Sequence, residues 1–257
     1  MTTHKNKILR MLLLALTMMA VLFASGCSVT PKPTADLGPP LHTAENTLVE
    51  GTVYASDIYD PLEGFNRRAY TFNYYFDKFL FLPVVNTYEF IMPDYAEDRV
   101  SSFVDNVYEF NNFTNNLLQL KFKQTGITLA RFVVNTTVGI AGLWDPATHW
   151  GMERQAEDFG QTLGHYGVGN GPYLVLPIFG PSNLRDTTGL VTDTVAFAVA
   201  GPPAWIDDDA TTMVFTGVAA VDGRHRQSFR YYRSGSPFEY GMMRMLYTSK
   251  REIEIAK

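Results

Sequence analysis

The residues best equipped for bond-breaking chemistry lie between positions 158 and 186. His165, flanked by Gly164 and Tyr166, could act as a general base, Ser182 as a nucleophile, and Asp158 or Asp186 as the carboxylate that orients the imidazole. That set would make a hydrolase, and it is the lesser reading. The chain contains no G-x-S-x-G, no H-E-x-x-H and no oxyanion-hole signature. His149 and Glu153 stand four apart, but Gly151 between them spoils a helical ligand pair and favours a solvated turn. Gly167, Gly169 and Gly171 do not make G-x-G-x-x-G, and Pro172 follows where a helix N-terminus would have to offer amide hydrogens to phosphate. No G-x-x-x-x-G-K-[ST] is present either, so nothing provides for ATP. A single cysteine, Cys27, excludes a disulfide framework and any multi-thiolate metal site. No metal and no cofactor is expected, and no catalytic residue is assigned.

A second group of polar residues stands among aromatics: Asn66, Arg67, Tyr70, Asn73, Tyr74, Asn111, Asn112, Asn115 and Asn116. Singly, each reads as part of a solvated helix face. Together they fit a polar path through an otherwise lipid-compatible body. Amide, hydroxyl and guanidinium groups there would lower the cost of moving a charged head group through apolar material. The composition allows this: charged residues make up 18 % and aromatics 14 %, with 18 Phe and 14 Tyr. Such residues fill a heavy core or a membrane-interface surface equally well.

The elements that must position these groups read as mostly helical. Asp60-Pro61-Leu62-Glu63 supplies an N-cap acceptor, a proline at the first helical position and a Glu three residues after the cap. Phe65, Ala69, Phe72, Phe76 and Phe79 follow as an apolar stripe, and Pro83 is expected to end the segment. Pro93-Asp94 opens a second helix with Val100, Phe103, Val104 and Val107 on one face. An Asn-rich stretch runs from Phe110 to Phe122, and Lys123 to Val138 gives another helix centred on Leu129, Phe132, Val133 and Val134. After an irregular turn over 139–151, a short helix covers Glu157 to Leu163. Residues 167–177 are too rich in Gly and Pro for helix and read as an extended loop or small hairpin. Further helices are expected over Thr188 to Ala200 and Asp207 to Val221, and a second cap-proline-Glu device at Ser236-Pro237-Phe238-Glu239 opens a helix to about Ile253. No apolar stretch after residue 27 is long enough to cross a bilayer.

The first 57 residues address the chain rather than fold. Lys5, Lys7 and Arg10, the apolar run Met11 to Phe23, and the small residues Ala24-Ser25-Gly26 form the three-part layout of a secretory signal over residues 1–26. Cys27 directly behind it resembles the acceptor of a bacterial lipobox, where the thiol becomes a thioether to diacylglycerol. Ala24 and Gly26 also suit ordinary signal-peptidase cleavage, which is the alternative. Residues 27–57, with Pro31, Pro33, Pro39 and Pro40 and no periodicity, read as a flexible tether to a domain over 58–257. Without residues 1–26 the formal charge is −8, a poor match to nucleic acid.

Two segments together carry a resemblance: Asp60-Pro61-Leu62-Glu63-Gly64-Phe65-Asn66-Arg67, and Phe159-Gly160-Gln161-Thr162-Leu163-Gly164-His165-Tyr166-Gly167-Val168-Gly169. The second continues into Gly171-Pro172-Tyr173-Leu174-Val175-Leu176-Pro177 and Leu184-Arg185-Asp186. They resemble the MlaA family of VacJ-type outer-membrane lipoproteins over roughly residues 58–200, and more weakly to the Ser236 helix. The resemblance implies a ring of amphipathic α-helices lying in the inner leaflet of the outer membrane of a Gram-negative bacterium, around an amphipathic channel. It implies work beside a trimeric porin, removal of phospholipids strayed into the outer leaflet, and their transfer to a periplasmic carrier without any catalytic step. On this footing Asp60, Pro61, Phe65, Asn66, Arg67, Gly164, His165, Tyr166, Gly167, Gly169, Gly171, Pro172, Arg185 and Asp186 mark the family motif and a possible channel, with Cys27 the lipidation site. The other readings are a lipid hydrolase using His165 and Ser182, and a structural tether of the envelope.

Overall fold

The computed structural model describes residues 58–205 and 209–257, so the signal segment, Cys27 and the tether of residues 27–57 lie outside the described residues. The first helix, α1 (Glu63–Phe76), starts later than the Asp60 motif suggests and has no side-chain cap. Asp60 is drawn off to partners far along the chain, and Glu63 pairs with Arg67 one turn on at 2.7 Å. Pro83 does not end this helix. A π-helical turn at Asp77–Phe81 follows, in which the Leu82 N–H reaches the Asp77 carbonyl, and α2 (Leu82–Ile91) carries Pro83 in its first turn. A proline has no N–H to give, and a register shift just before it places that missing donor where a helix start tolerates it.

After Pro93 comes α3 (Asp94–Leu118), which runs unbroken through the asparagine-rich stretch, and then α4 (Phe122–Thr137). A short α5 (Pro146–His149) is capped by Asp145, and α6 (Phe159–His165) by Asp158, whose carboxylate accepts the Gln161 N–H at 2.8 Å. The expected hairpin exists, shifted towards the C-terminus: β1 (Tyr173–Leu176) pairs antiparallel with β2 (Gly180–Asn183), Tyr173 opposite Asn183. Residues 167–172 form a loop ahead of it, with Gly167 and Gly171 at φ of +86° and +66°. Asn183 then caps α7 (Leu184–Ala200) by accepting the Asp186 N–H at 2.7 Å. A 3-10 turn (Pro202–Trp205), α8 (Asp209–His225) and α9 (Glu239–Ile255) complete the chain. At the last start, Ser236 Oγ accepts the Phe238 N–H, but Glu239 turns inward rather than closing a capping box.

Helices α6 and α7 meet backbone to backbone. The volume a Cβ on Gly189 would need is taken by the amide nitrogen and Cα of Gly160, so the crossing requires glycine at 189, while a Cβ on Gly160 would meet the side chains of Asp186, Arg251 and Asp158.

The polarity of the packing is inverted. Among the described residues, buried polar or charged side chains number 25, against ten buried apolar ones. On α4 the inward face is Thr125, Thr128, Arg131 and Asn135, while Leu129 and Val133 face outward. On α3 the buried set includes Glu109, Asn112, Asn115 and Asn116, with Leu117 and Leu118 exposed. The stripe on α1 behaves likewise: Phe65, Phe72 and Phe79 are exposed, and Asn66, Ala69, Tyr70, Asn73 and Asp77 turn inward. Phe90 is 90 % exposed. The small apolar core is built on Ala69, Tyr70, Tyr173, Val175 and Tyr240, three of them tyrosines stacked edge to face. No described helix is long and apolar enough to cross a membrane.

Candidate functional site

Asparagine explains how α1 holds the hairpin. Asn66 donates to the Tyr173 carbonyl at 3.0 Å and accepts the Val175 N–H at 2.8 Å. Seven residues on, the same helix face brings Asn73, which donates to the Leu176 carbonyl at 2.9 Å and accepts the Ile178 N–H at 2.6 Å. Two amides thus satisfy a strand edge as a neighbouring strand would. Between them Tyr70 donates to Glu239 at 2.7 Å, and Glu239 also gathers the N–H and Oγ of Ser234. Asp60 accepts from Asn66 at 2.7 Å, Tyr240 at 2.5 Å and Arg244 at 3.1 Å, joining the start of the described chain to α9.

A second cluster centres on Asp186. Arg251 reaches both Asp186, at 2.9 Å, and Asp158, at 2.7 Å, so α9 is clamped to the N-termini of α6 and α7. Arg185 and Tyr247 add bonds of 2.9 and 2.8 Å to the same carboxylate. Burial acts to raise the Asp186 carboxyl, but the Arg251 hydrogen bond and charge outweigh it and hold it below its ordinary value. The third cluster joins α3 to α4. Arg131 donates to Glu109 at 2.7 Å, Thr148 at 2.8 Å and Asp145 at 3.0 Å, and also to the Met152 carbonyl. Burial works against the Asp145 charge, yet hydrogen bonds from Thr148 and Arg131 bring that carboxyl down to about 2.

Next to the hairpin lies a cavity of about 730 Å³, bounded by the π-helical turn, the 178–181 turn, α8 and α9. Phe76, Phe81, Ile178, Phe179, Met243 and Leu246 supply apolar wall; Asn73, Asp77, Arg224, Arg226 and Lys250 supply polar groups. Asp77 and Arg224 face each other in a two-bond ion pair of 2.7 and 2.8 Å. Tyr231, also on the wall, has its hydroxyl pushed up to about 12, chiefly by burial. A mixed cavity of this size suits a ligand with an apolar body and a charged end.

The expected site residues divide. Asp60, Asn66, Arg185 and Asp186 are drawn into the buried lattice. Arg67 is exposed and lies over the Tyr240 ring at 4.4 Å. Pro61 and Phe65 are exposed. Gly164 fits against Ile255, where a Cβ would meet its Cδ1 at 2.6 Å, and Gly171 against Leu184, while the Pro172 carbonyl accepts the Leu184 N–H. Gly167 and Gly169 have open space around them. His165 and Tyr166 are exposed, ring edge to ring face, and Tyr166 donates to the Leu118 carbonyl. The hydrolase set is not assembled: Ser182 is buried and bonded to Thr187 at 2.9 Å, and Asp158 and Asp186 are both engaged by Arg251. His149 Nδ1 donates to the Asp145 carbonyl at 3.0 Å, within its own turn. Among the described residues no His/Cys/Asp/Glu group is placed to hold a metal. The cavity cations and Asp77 escaped sequence reasoning, because the Asp77–Arg224 pair spans 147 residues and no local spacing announces it.

Fold and polarity define the class: a mostly α-helical protein with one small hairpin, polar inside and largely apolar outside. Residues 58–254 match the family model described as MlaA lipoprotein, and the chain belongs to that family. A protein of Rickettsia prowazekii is 46 % identical over 135 residues, 52 % of this chain and 54 % of its own length. The intermembrane phospholipid transport system lipoprotein MlaA of Escherichia coli is 39 % identical over 138 residues, 52 % of this chain and 55 % of its own. Its Haemophilus influenzae counterpart is 33 % identical over 181 residues, 67 % and 69 % respectively. The chain thus spans about half the length of the first of these curated relatives. A solved structure described as "Structural basis for maintenance of bacterial outer membrane lipid asymmetry" superposes with a TM-score of 0.61 at 30 % identity, covering 76 % of this chain and 98 % of that one.

Proposed function

We propose that this chain is the outer-membrane lipoprotein of a phospholipid-transport system, moving strayed phospholipids from the outer leaflet inward without chemistry. The observation that carries this is the inversion of polarity. A body that buries Asn, Glu, Arg and Thr and exposes Phe, Leu and Val is costly in water. It suits a lipid surround, where the outward residues are solvated by acyl chains and the inward ones satisfy each other. On this reading the helices lie within the inner leaflet as a ring-like assembly, and the cavity beside the hairpin belongs to the passage. Residues 1–26 are a removed signal, Cys27 carries the lipid, residues 27–57 tether it, and 58–257 do the work. The family resemblance supplies the partners: a trimeric porin beside the domain, and a periplasmic carrier that accepts the lipid. The loop of residues 167–172, between α6 and β1, is the movable element, since Gly167, Gly169 and Gly171 permit hinging.

The test is deletion of the gene in cells that retain their porins, followed by chemical labelling of outer-leaflet phospholipid and by growth in detergent. Surface phospholipid and detergent sensitivity should both rise, and the full chain should reverse them. Unchanged surface phospholipid would refute the proposal.

A further inference from the structure

Three cations line the cavity, Arg224, Arg226 and Lys250, against one carboxylate, Asp77. Their commitments differ. Arg224 is spent on Asp77 and on the carbonyls of Gln227 and Phe229, at 2.9 and 3.1 Å. Arg226 holds Asp222 at 2.6 Å and Asp105 at 2.9 Å. Lys250, 71 % exposed, has Glu254 at 3.6 Å, beyond hydrogen-bond reach, and the other oxygen of Glu254 serves Arg251 at 3.0 Å. Lys250 also lies one helical turn after Leu246, so ammonium and apolar wall share a face of α9. With Asp77 neutralised by Arg224, the cavity has a cation to offer an anion and no carboxylate to offer an ammonium.

We infer that Lys250 is the phosphate contact of this cavity, meeting the phosphodiester of a lipid head group while an acyl chain lies against Phe179 and Leu246. The inference rests on the lipid-passage reading and assigns the group within it that orients the lipid. A compact ammonium on a long stem suits such a role, because it meets phosphate as a point charge and follows it as it moves. A volume of about 730 Å³ falls in the range that encloses one drug-sized ligand. A diacyl phospholipid is larger, so it would pass with only part of itself inside, and the phosphate contact decides which part enters.

The experiment places a benzophenone amino acid at Leu246 in the purified full chain and irradiates it with radiolabelled phosphatidylglycerol or, separately, radiolabelled diacylglycerol, which has no phosphate. Phosphatidylglycerol should crosslink. Lys250→Glu should weaken that crosslinking about five-fold or more, the scale expected when an exposed charge that attracts the phosphate becomes one that repels it. Lys250→Arg should restore it, and diacylglycerol crosslinking should be the same in all three proteins. Equal phosphatidylglycerol crosslinking with Lys250 and with Glu at that position overturns the inference and leaves the passage standing. Absence of any lipid crosslink at Leu246 in the unsubstituted chain overturns the passage reading itself. Excess inorganic phosphate, against matched chloride, separates the sources: abolition of the crosslink by phosphate reassigns the site to a free anion and sinks the head-group assignment.

Discussion

Replacing Arg131 with Leu tests whether the buried polar lattice, rather than apolar packing, holds α3 to α4. Arg131 is 2 % exposed and Glu109 1 %, with 2.7 Å between them. Loss of the guanidinium leaves Glu109 in the interior with Asn112 Nδ2, at 3.0 Å, as its remaining side-chain donor. Breaking a buried pair from one side costs about 3–5 kcal/mol, because a charge is left without compensation. Asp145 and Thr148 lose a partner too, but both reach solvent and rehydrate. Glu109→Gln alone should cost about 1.5–3 kcal/mol, the range for a hydrogen bond to a charged group, since Arg131 keeps Asp145, Thr148 and the Met152 carbonyl. The double substitution Glu109→Gln/Arg131→Leu should then be less damaging than the sum of the singles, with a coupling of about 1.5 kcal/mol or more. Urea unfolding in mild detergent, followed by far-ultraviolet circular dichroism, gives all three values. Should Arg131→Leu cost less than about 1 kcal/mol, or the two changes simply add, the lattice is not what joins these helices.

Three further outcomes follow from the same geometry. Asp145→Asn should cost on the order of 1 kcal/mol at neutral pH: a carboxyl lowered to about 2 corresponds to roughly 2 kcal/mol at 1.36 kcal/mol per pKa unit, and solvent at the partly exposed side chain screens part of it. Because the folded value is the depressed one, that stability is present above pH ~4 and is lost as pH falls towards 2, so acid titration of the unsubstituted protein should show a loss in that window which the variant lacks. Gly189→Ala should prevent close approach of α7 to α6 and cost upwards of about 2 kcal/mol, measured by the same urea titration, since the obstruction is Gly160 backbone and cannot rotate away. Val133→Asp, on the outward face of α4, should leave unfolding in detergent within about 1 kcal/mol of the parent while reducing retention of the domain in membranes washed at high pH; equal retention would count against burial of that face in lipid.

Most helices were legible because their signals are local: Pro93-Asp94 ahead of α3, apolar periodicity along α1 and α4, and glycine and proline around the hairpin. What misled was the usual assumption about which face turns inward. In water the apolar stripe of a helix finds the core, which is where the stripe of Phe65 and Phe72 would turn, and the asparagines of α3 taken singly read as a solvated face. Periodicity locates two faces but gives no sign for the environment. Pro83 misled for another reason, since a proline stops a helix unless the turn before it changes register, and the π-helical turn at Asp77–Phe81 does that. Asp60 read as a cap because its partners, Tyr240 and Arg244, lie 180 and 184 residues away. The family motif pointed at the right segments for a reason that spacing could not supply: Asn66, Arg185 and Asp186 are joints of the lattice.

That lattice also bears on how lipid could pass. In a lipid surround helices gain little from apolar contact with each other, and hydrogen bonds and ion pairs must bind them. Here those groups are almost entirely occupied: Asn66 and Asn73 by the hairpin, Arg131 by four acceptors, Arg224 by Asp77 and two carbonyls, Arg251 by Asp158, Asp186 and Glu254. A polar wall whose donors are spent lowers the barrier to a head group through its dipoles without gripping it. Passage requires such a balance, favourable enough to enter and weak enough to leave. Asn73 and Arg224, which help to hold the fold and also line the cavity, would therefore make its wall slippery, and a loosely held cation such as Lys250 is where the lipid would pause.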